Sequence, residues 1–403
     1  MQVTLTTAKV AMIFGTALAV VSATGAAAAQ PAAATSSSWS QTDYNAAQSR
    51  ANLAEQTLTR STVGKIAFLR SVAAPPVPVN GCGQAVVAPV LTGGSLYAVT
   101  SGYLTKYNAA TGRITWRRNP DPTFTQLYTA LAVAGGLVVL GEVDCLSASD
   151  PNGIIQAFNA ATGALVWSQP ITPSGGALAQ LVVSNGFVVA AGFSEAGGLP
   201  VSVHRLTTGA LVWYRLTNPC APGDVLVDAQ VVVAYSCPAT GGERLVGSKL
   251  ATGARVWSRS GNWQLQRGDT DTIAGRHVFA TNPGGTVVSL NPLTGQTQYS
   301  LAQATDVLAV GGPQSYASCG FGVCAYSTAT GSLRWQVRPG LTVALAAAGG
   351  VLYTDAGFAL DTGNGQTLAT LWQGPATWLA VGQGRIAVVT DPRILDLYGL
   401  PGS

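Results

Sequence analysis

A hydrolytic triad needs an imidazole, and this chain holds two, His204 and His277. Each lies in a short run of hydrophobic residues, so both read as structural histidines within strands rather than bases in a cleft. Asp269-Thr-Asp alternates carboxylates in the manner of a calcium loop, but the rest of such a loop is missing, which leaves a solvated turn. The Gly-Gly pairs precede no helical pattern; they mark hairpins, not a phosphate cradle. Six cysteines remain. No two stand as C-x-x-C, so disulfides are expected in place of metal ligation. A hairpin centred on residues 227–230 would set Cys220 opposite Cys237. Cys319 and Cys324 flank Gly320-Phe-Gly-Val and could join its ends, which leaves Cys82 and Cys145 to each other.

Side chains that could bind without catalysing are the acidic ones in three long connections, 142–153, 194–200 and 237–243. They supply Glu142, Asp144, Asp150, Glu195 and Glu243, with Arg244 at the margin. If neighbouring units bring these connections together, the result is an acidic rim suited to a basic peptide, a polysaccharide or a cation.

The elements that must position these residues form a repeat. Short apolar runs lead into turns with glycine at Gly112, Gly163, Gly209, Gly253, Gly295, Gly331, Gly363 and Gly399, spaced 32 to 51 residues apart. In five copies a tryptophan follows the glycine by four residues: Trp116, Trp167, Trp213, Trp257 and Trp335. Tyr299 takes the same place in a sixth. Runs such as Ser95-Leu-Tyr-Ala-Val-Thr, Phe187-Val-Val-Ala-Ala and Val231-Val-Val-Ala-Tyr are strand-forming and fenced by Gly, Asn, Asp or Pro. No stretch after the leader sustains a 3.6-residue apolar period, so the class is all-β. Each unit is expected to hold four strands, in the first unit 85–91, 95–100, 104–108 and 113–117. The irregular spacing excludes a helical solenoid of fixed length. The six aromatic residues fall on the outermost strand, where they can wedge between neighbouring sheets.

A strand followed by Ala-Thr-Gly-x-x-x-Trp, as in Asn108-Ala-Ala-Thr-Gly-Arg-Ile-Thr-Trp and Asn159-Ala-Ala-Thr-Gly-Ala-Leu-Val-Trp, resembles the pyrroloquinoline-quinone-like repeat of eight-bladed β-propellers. Leu250-Ala-Thr-Gly-Ala-Arg-Val-Trp adds to the likeness, which runs from Trp39 to the C-terminus. Trp39-Ser-Gln-Thr-Asp-Tyr-Asn also resembles the lead-in segment of quinoprotein-type propellers. The resemblance implies eight blades of four antiparallel strands, or seven if the last unit is a tail. Two units depart from the pattern. The seventh stretches its turn through Asn364-Gly-Gln and places Trp372 nine residues after Gly363. The eighth lacks both Thr and Trp and has no fourth strand of its own. Because β-proteins avoid an open edge, residues 62–71 are expected to supply that strand and close the ring.

For function the resemblance implies two alternatives. One is a quinone-dependent dehydrogenase, with PQQ over the central channel, Ca²⁺ held by Glu, Asn and Asp, and an Asp base. The other is a scaffold similar to the outer-membrane assembly lipoproteins. No Asp, Asn and Glu set here matches the dehydrogenase motif position by position, and no Cys-Cys pair occurs, so no catalytic or cofactor-binding residue is carried over. The expectation is a non-catalytic binding or scaffold module without a cofactor.

Residues 1–29 hold one charge, Lys9, then an apolar run from Val10 to Val21 and the string Ala26-Ala-Ala-Ala. That is the pattern of a signal peptide cleaved after Ala29, with an uncleaved membrane anchor as the alternative. No cysteine lies near the cleavage region, so bacterial lipid anchoring is not expected. Residues 30–61 read as linker and lead-in, and 62–403 as the propeller. The formal net charge of +4, or +3 without Lys9, is too mild to imply nucleic acid. A secreted monomer that meets an extracellular protein or polysaccharide is the resulting expectation.

Overall fold

The chain folds into eight successive sheets built on a four-stranded antiparallel plan, the seventh of which gains Ala51–Asn52 as a parallel fifth strand. The computed structural model describes residues 37–73, 87–100, 102–121, 126–144, 152–173, 177–193, 199–217, 224–228, 230–236, 242, 244–269, 276–320, 322–338, 345–391 and 394–402. Blade 1 comprises Val90–Thr92, Ser95–Thr100, Tyr103–Asn108 and Ile114–Arg118. Blades 2 to 7 repeat the plan and open on Gln126–Ala134, Ala177–Ser184, Val225–Asp228, Gln264–Asp269, Val307–Gly311 and Leu345–Ala348. Blade 8 runs Trp378–Gly382, Arg385–Asp391 and Ile394–Gly399, then takes its outer strand, Ala67–Ala73, from the other end of the chain.

Inner strands are apolar on both faces because a neighbouring blade covers each face. Ser95–Thr100 is buried at every position, whereas the outer strand Leu165–Pro170 buries chiefly Trp167. The innermost strand of each blade touches that of the next, and the innermost strand of blade 8 returns to that of blade 1. The sheets therefore close a ring of eight blades.

The wedge aromatics join each blade to the next. The Trp116 indole lies against Gly163 of blade 2, and a Cβ on that glycine would stand 2.8 Å from the ring. Trp167 meets Gly209, Trp213 meets Gly253, Trp257 meets Gly295 and Tyr299 meets Gly331 in the same way. Each indole Nε1 also donates to a carbonyl three residues before the glycine: Trp116 to Ala160 at 3.2 Å, Trp167 to Leu206 at 2.9 Å, Trp213 to Leu250 at 2.7 Å and Trp257 to Pro292 at 2.7 Å. The Tyr299 hydroxyl donates to Thr328 at the equivalent place. Glycine is required there twice over, for a φ near +70° and for the absence of a side chain beneath the ring.

The two irregular units differ in detail from the sequence reading. In blade 7 the glycine under Trp335 is Gly365 rather than Gly363, because the longer turn moves the positive φ two residues on. Trp372 does not wedge from the outer strand; its indole donates to the Asp355 carbonyl of its own blade and packs against Tyr398 of blade 8, with ring centroids 5.5 Å apart. Gly399 pairs with Arg385 and Ala67 inside the sheet instead of forming a turn. The closing strand begins five residues later than expected, since Val63–Lys65 forms a 3₁₀ turn first. It carries no aromatic wedge. Arg70 occupies that place, with its aliphatic stem against Gly112 and its guanidinium donating to the Thr111 carbonyl.

If the ring contact is what demands glycine, Gly163→Ala must cost more than an alanine at a roomy positive-φ turn. Gly186, with a φ of +79° and nothing near its missing Cβ, is the control. We expect about 1–2 kcal/mol for Gly186→Ala from the left-handed backbone alone. Gly163→Ala is expected to lose about 1–3 kcal/mol more from overpacking. Urea unfolding midpoints compare the two, and equal losses would remove the contact argument.

Candidate functional site

Residues 37–55 make a circuit of the ring, meeting the blades in order. Trp39 exchanges backbone hydrogen bonds with Leu91 of blade 1, and Ser40 and Thr42 bond to Val133 and Leu131 of blade 2. Gln41 uses its side-chain amide as a peptide surrogate: it accepts from the Val183 N–H at 2.8 Å and donates to the Val183 carbonyl at 3.2 Å in blade 3. Ala46, Ala47, Ser49 and Arg50 accept from inner-strand N–H groups of blades 4, 5, 6 and 7 in turn. Asn52 donates to Val381 of blade 8 at 2.8 Å. Most of these partners lie toward the end of their inner strand, beside the first hairpin turn, so the segment covers that end of the channel. Asp43, Tyr44, Gln48 and Arg50 take positive φ values along the path, a strain that its bonds to all eight blades hold in place.

One ionic cluster forms on this path. Asp43 accepts from Arg50 at 2.6 Å and from Arg267 of blade 5 at 3.1 Å, all three side chains being 13% exposed. Burial alone would raise the Asp43 pKa, but the two guanidiniums outweigh it and hold the group at about 2. Arg267 is lowered to about 10 by burial and by Arg50, so both partners stay charged at neutral pH. Its remaining donors reach the Val307 and Gln48 carbonyls. A carboxylate held by two arginines is neither a competent base nor a free calcium ligand. The only other described carboxylate on the path, Glu55, accepts from the Thr57, Leu58 and Gly384 amides beside a cavity of about 410 Å³ between blades 6 and 7. Among the described residues no three His, Cys, Asp or Glu side chains converge on a metal site.

The described rim residues, Glu142, Asp144 and Arg244, lie at the opposite ends of their strands. Glu142 is 1% exposed, one carboxylate oxygen has no hydrogen-bond partner, and burial followed by the neighbouring Asp121 pushes it up to about 8. Asp144 is half-buried and its amide bonds to the Asn152 carbonyl. Asp150, Glu195 and Glu243 lie outside the described residues, as do Cys82, Cys145, Cys220 and Cys237. Cys319 and Cys324 are joined by a disulfide across their hairpin. Arg244 is half-buried and lines one cavity with Arg215 and Arg255 between blades 3 and 4. His204 is buried 3.1 Å from the Gly209 carbonyl and 3.2 Å from that of Ile171, and burial lowers its pKa. The sequence reading missed Asp43, Arg50 and Arg267. The signal available was a dense polar run, 40–50, with no strand alternation.

The family described as outer membrane protein assembly factor BamB matches residues 46–215 and 151–367. The solved structure of BamB from Moraxella catarrhalis superposes with a TM-score of 0.60 at 18% identity, over 83% of this chain and 99% of that one. Quinohemoprotein alcohol dehydrogenase from Comamonas testosteroni gives 0.66 at 13% identity, over 91% and 81%. The computationally designed Ika8 protein gives 0.61 at 17%, over 81% and 99%. At these identities the likeness is one of fold, and the fold alone does not select a function. No curated protein sequence matches the chain.

Two pH dependences follow from the buried carboxylates. Asp43 has a folded pKa below its ordinary 3.8, so its contribution is present above about pH 4 and lost as pH falls toward 2. Asp43→Asn removes the carboxylate to which both buried guanidiniums are paired and is expected to cost about 3–5 kcal/mol at neutral pH; a neutral result in urea melts would make the cluster dispensable. Glu142 has the opposite sign. Its folded pKa lies above the ordinary 4.5, so stability falls as pH rises from there to about 8 and is flat beyond. Glu142→Gln should flatten that slope, and an unchanged melting-temperature profile between pH 5 and 8 would contradict the assignment.

Proposed function

Since the chain belongs to the family described as outer membrane protein assembly factor BamB, we propose that it works as a non-catalytic docking disc for a protein or glycan partner outside the cytoplasm or in the cell envelope. The observation that carries this reading is the circuit of residues 37–55. It covers one end of the channel with the chain's own backbone, and the one carboxylate of its ionic cluster is held by two arginines. Rigid channels of this kind leave recognition to the loops around them. The long connections after the second strands of blades 2, 3 and 4, with Asp144 and Arg244 at their described margins, supply the docking rim.

The Cys319–Cys324 bridge supports an oxidising compartment. No helix among the described residues is long and apolar enough to cross a membrane, so attachment to an envelope would run through a partner or through residues preceding the ring.

A photo-crosslinking residue in place of Asp144 should trap a partner in cells, whereas one in place of the exposed Thr162, in a turn on the other face, should not. Equal adducts at both positions, or none, would count against the rim. Reconstitution with PQQ and Ca²⁺ should produce no alcohol-dependent dye reduction; saturable turnover would replace the docking reading with a dehydrogenase.

A further inference from the structure

A cavity of about 330 Å³ lies between blades 3 and 4, lined among the described residues by Arg215, Ser236, Arg244, Val246 and Arg255. Arg215 comes from the outer strand of blade 3, and the other four belong to blade 4. Three guanidiniums thus border one hollow in a chain where only 9% of residues are charged. No described carboxylate pairs with any of them; the ion pairs of the ring involve Arg50, Arg60, Arg267 and Arg276. The buried Nε of Arg244 has no hydrogen-bond partner.

Comparison between blades shows which of the three are surplus to the fold. Arg215 has a structural duty, donating to the Gly253 carbonyl at 2.8 Å and to the Ser248 hydroxyl at 3.1 Å. Arg118 and Arg259 do the same between other blades, bonding to Gly163 at 2.9 Å and Gly295 at 3.0 Å. Arg244 and Arg255 have no such duty. Arg255 stands two residues past the turn glycine, where the neighbouring blades carry Leu211 and Thr297. Arg244 stands nine residues before that glycine, where those blades carry Pro200 and Thr286. At the junction of blades 4 and 5, Thr297 is an acceptor 3.4 Å from Arg259. At this junction the same position presents a second cation to the first. Burial, and then Arg255, lower the Arg215 pKa, so the like charges oppose one another across the pocket.

We propose that this cavity is an oxyanion site that takes a doubly charged phosphate group carried by a ligand. Guanidinium forks fit tetrahedral oxyanions with paired donors, and three of them favour a dianion over a single carboxylate. The Ser236 hydroxyl at the same wall adds a neutral donor. Arg244 and Arg255 supply the binding charge, while Arg215 is shared between the ligand and the blade junction.

The test uses the full chain and the Arg244→Gln/Arg255→Gln variant, which removes neither blade-joining bonds nor buried apolar surface. Isothermal titration with inorganic sulfate and inorganic phosphate, against acetate and chloride at matched ionic strength, is expected to show saturable binding of the two dianions only. The variant should bind them at least about 10-fold more weakly, the loss of one or two charge-assisted contacts. Raising the pH from 5 to 7 should strengthen binding of a phosphate monoester, whose second proton leaves near pH 6, and leave that of inorganic sulfate, a dianion throughout this range, unchanged. Non-specific salt stabilisation would appear equally in both proteins. Equal affinities for wild type and variant, or equal binding of acetate, would overturn the site.

Discussion

An aromatic ring laid flat on a glycine of the next blade is the contact on which the ring depends. It sets the distance between consecutive sheets, because the indole fills the gap that a Cβ would otherwise claim. It also sets their angle, because the Nε1 hydrogen bond fixes where along the next turn the ring must lie. Burying an indole in this way is worth about 3–5 kcal/mol when measured by truncation. Small errors in spacing would accumulate around eight blades, so closure requires the same contact nearly everywhere. Where it changes, something of similar reach replaces it. Tyr299 keeps both the stacking and the donor. Arg70 offers a flat aliphatic stem and a guanidinium, and so serves a strand contributed from a distant part of the chain.

A closed ring of blades leaves an axial channel whose inner-strand edges carry unsatisfied peptide groups. The segment 37–55 answers that demand blade by blade, with backbone where it can and with the amide of Gln41 where it cannot. Its unusual dihedral angles are the cost of turning through a full circuit within a narrow bore. The Asp43 cluster then ties the circuit to blade 5. The circuit's backbone and the Asp43 cluster are thus engaged with the fold.

Low charge density sharpens what the remaining ionic features mean. In a highly charged protein three neighbouring arginines would be unremarked. Here Arg50 and Arg267 are paired to Asp43, and Arg118 and Arg259 donate to turn carbonyls, whereas two cations of the pocket between blades 3 and 4 do neither. Glu142 shows the converse. A carboxyl read from the sequence as a solvated rim acid lies under the sheet beside Asp121, where burial keeps it protonated into the neutral range.

The all-β class, the four-stranded unit, the count of eight blades and the wedge residues were all legible in the sequence. Each is encoded within a few residues: alternation or continuous apolarity along a strand, glycine at a positive φ, an aromatic four positions later. The need for a borrowed closing strand was legible too, since an unpaired edge is unfavourable whichever chain segment covers it. What the sequence could not reveal were the contacts joining residues far apart in it. Gln41 meets Val183 across 142 positions, Arg267 meets Asp43 across 224, and Asn52 meets Val381 across 329. No local period announces such pairs, and the burial of Glu142, the charge state of Asp43 and the grouping of Arg215, Arg244 and Arg255 exist only once closure brings the blades side by side. Local chemistry determined the units, and the geometry of the closed ring decided which polar groups they hold in common.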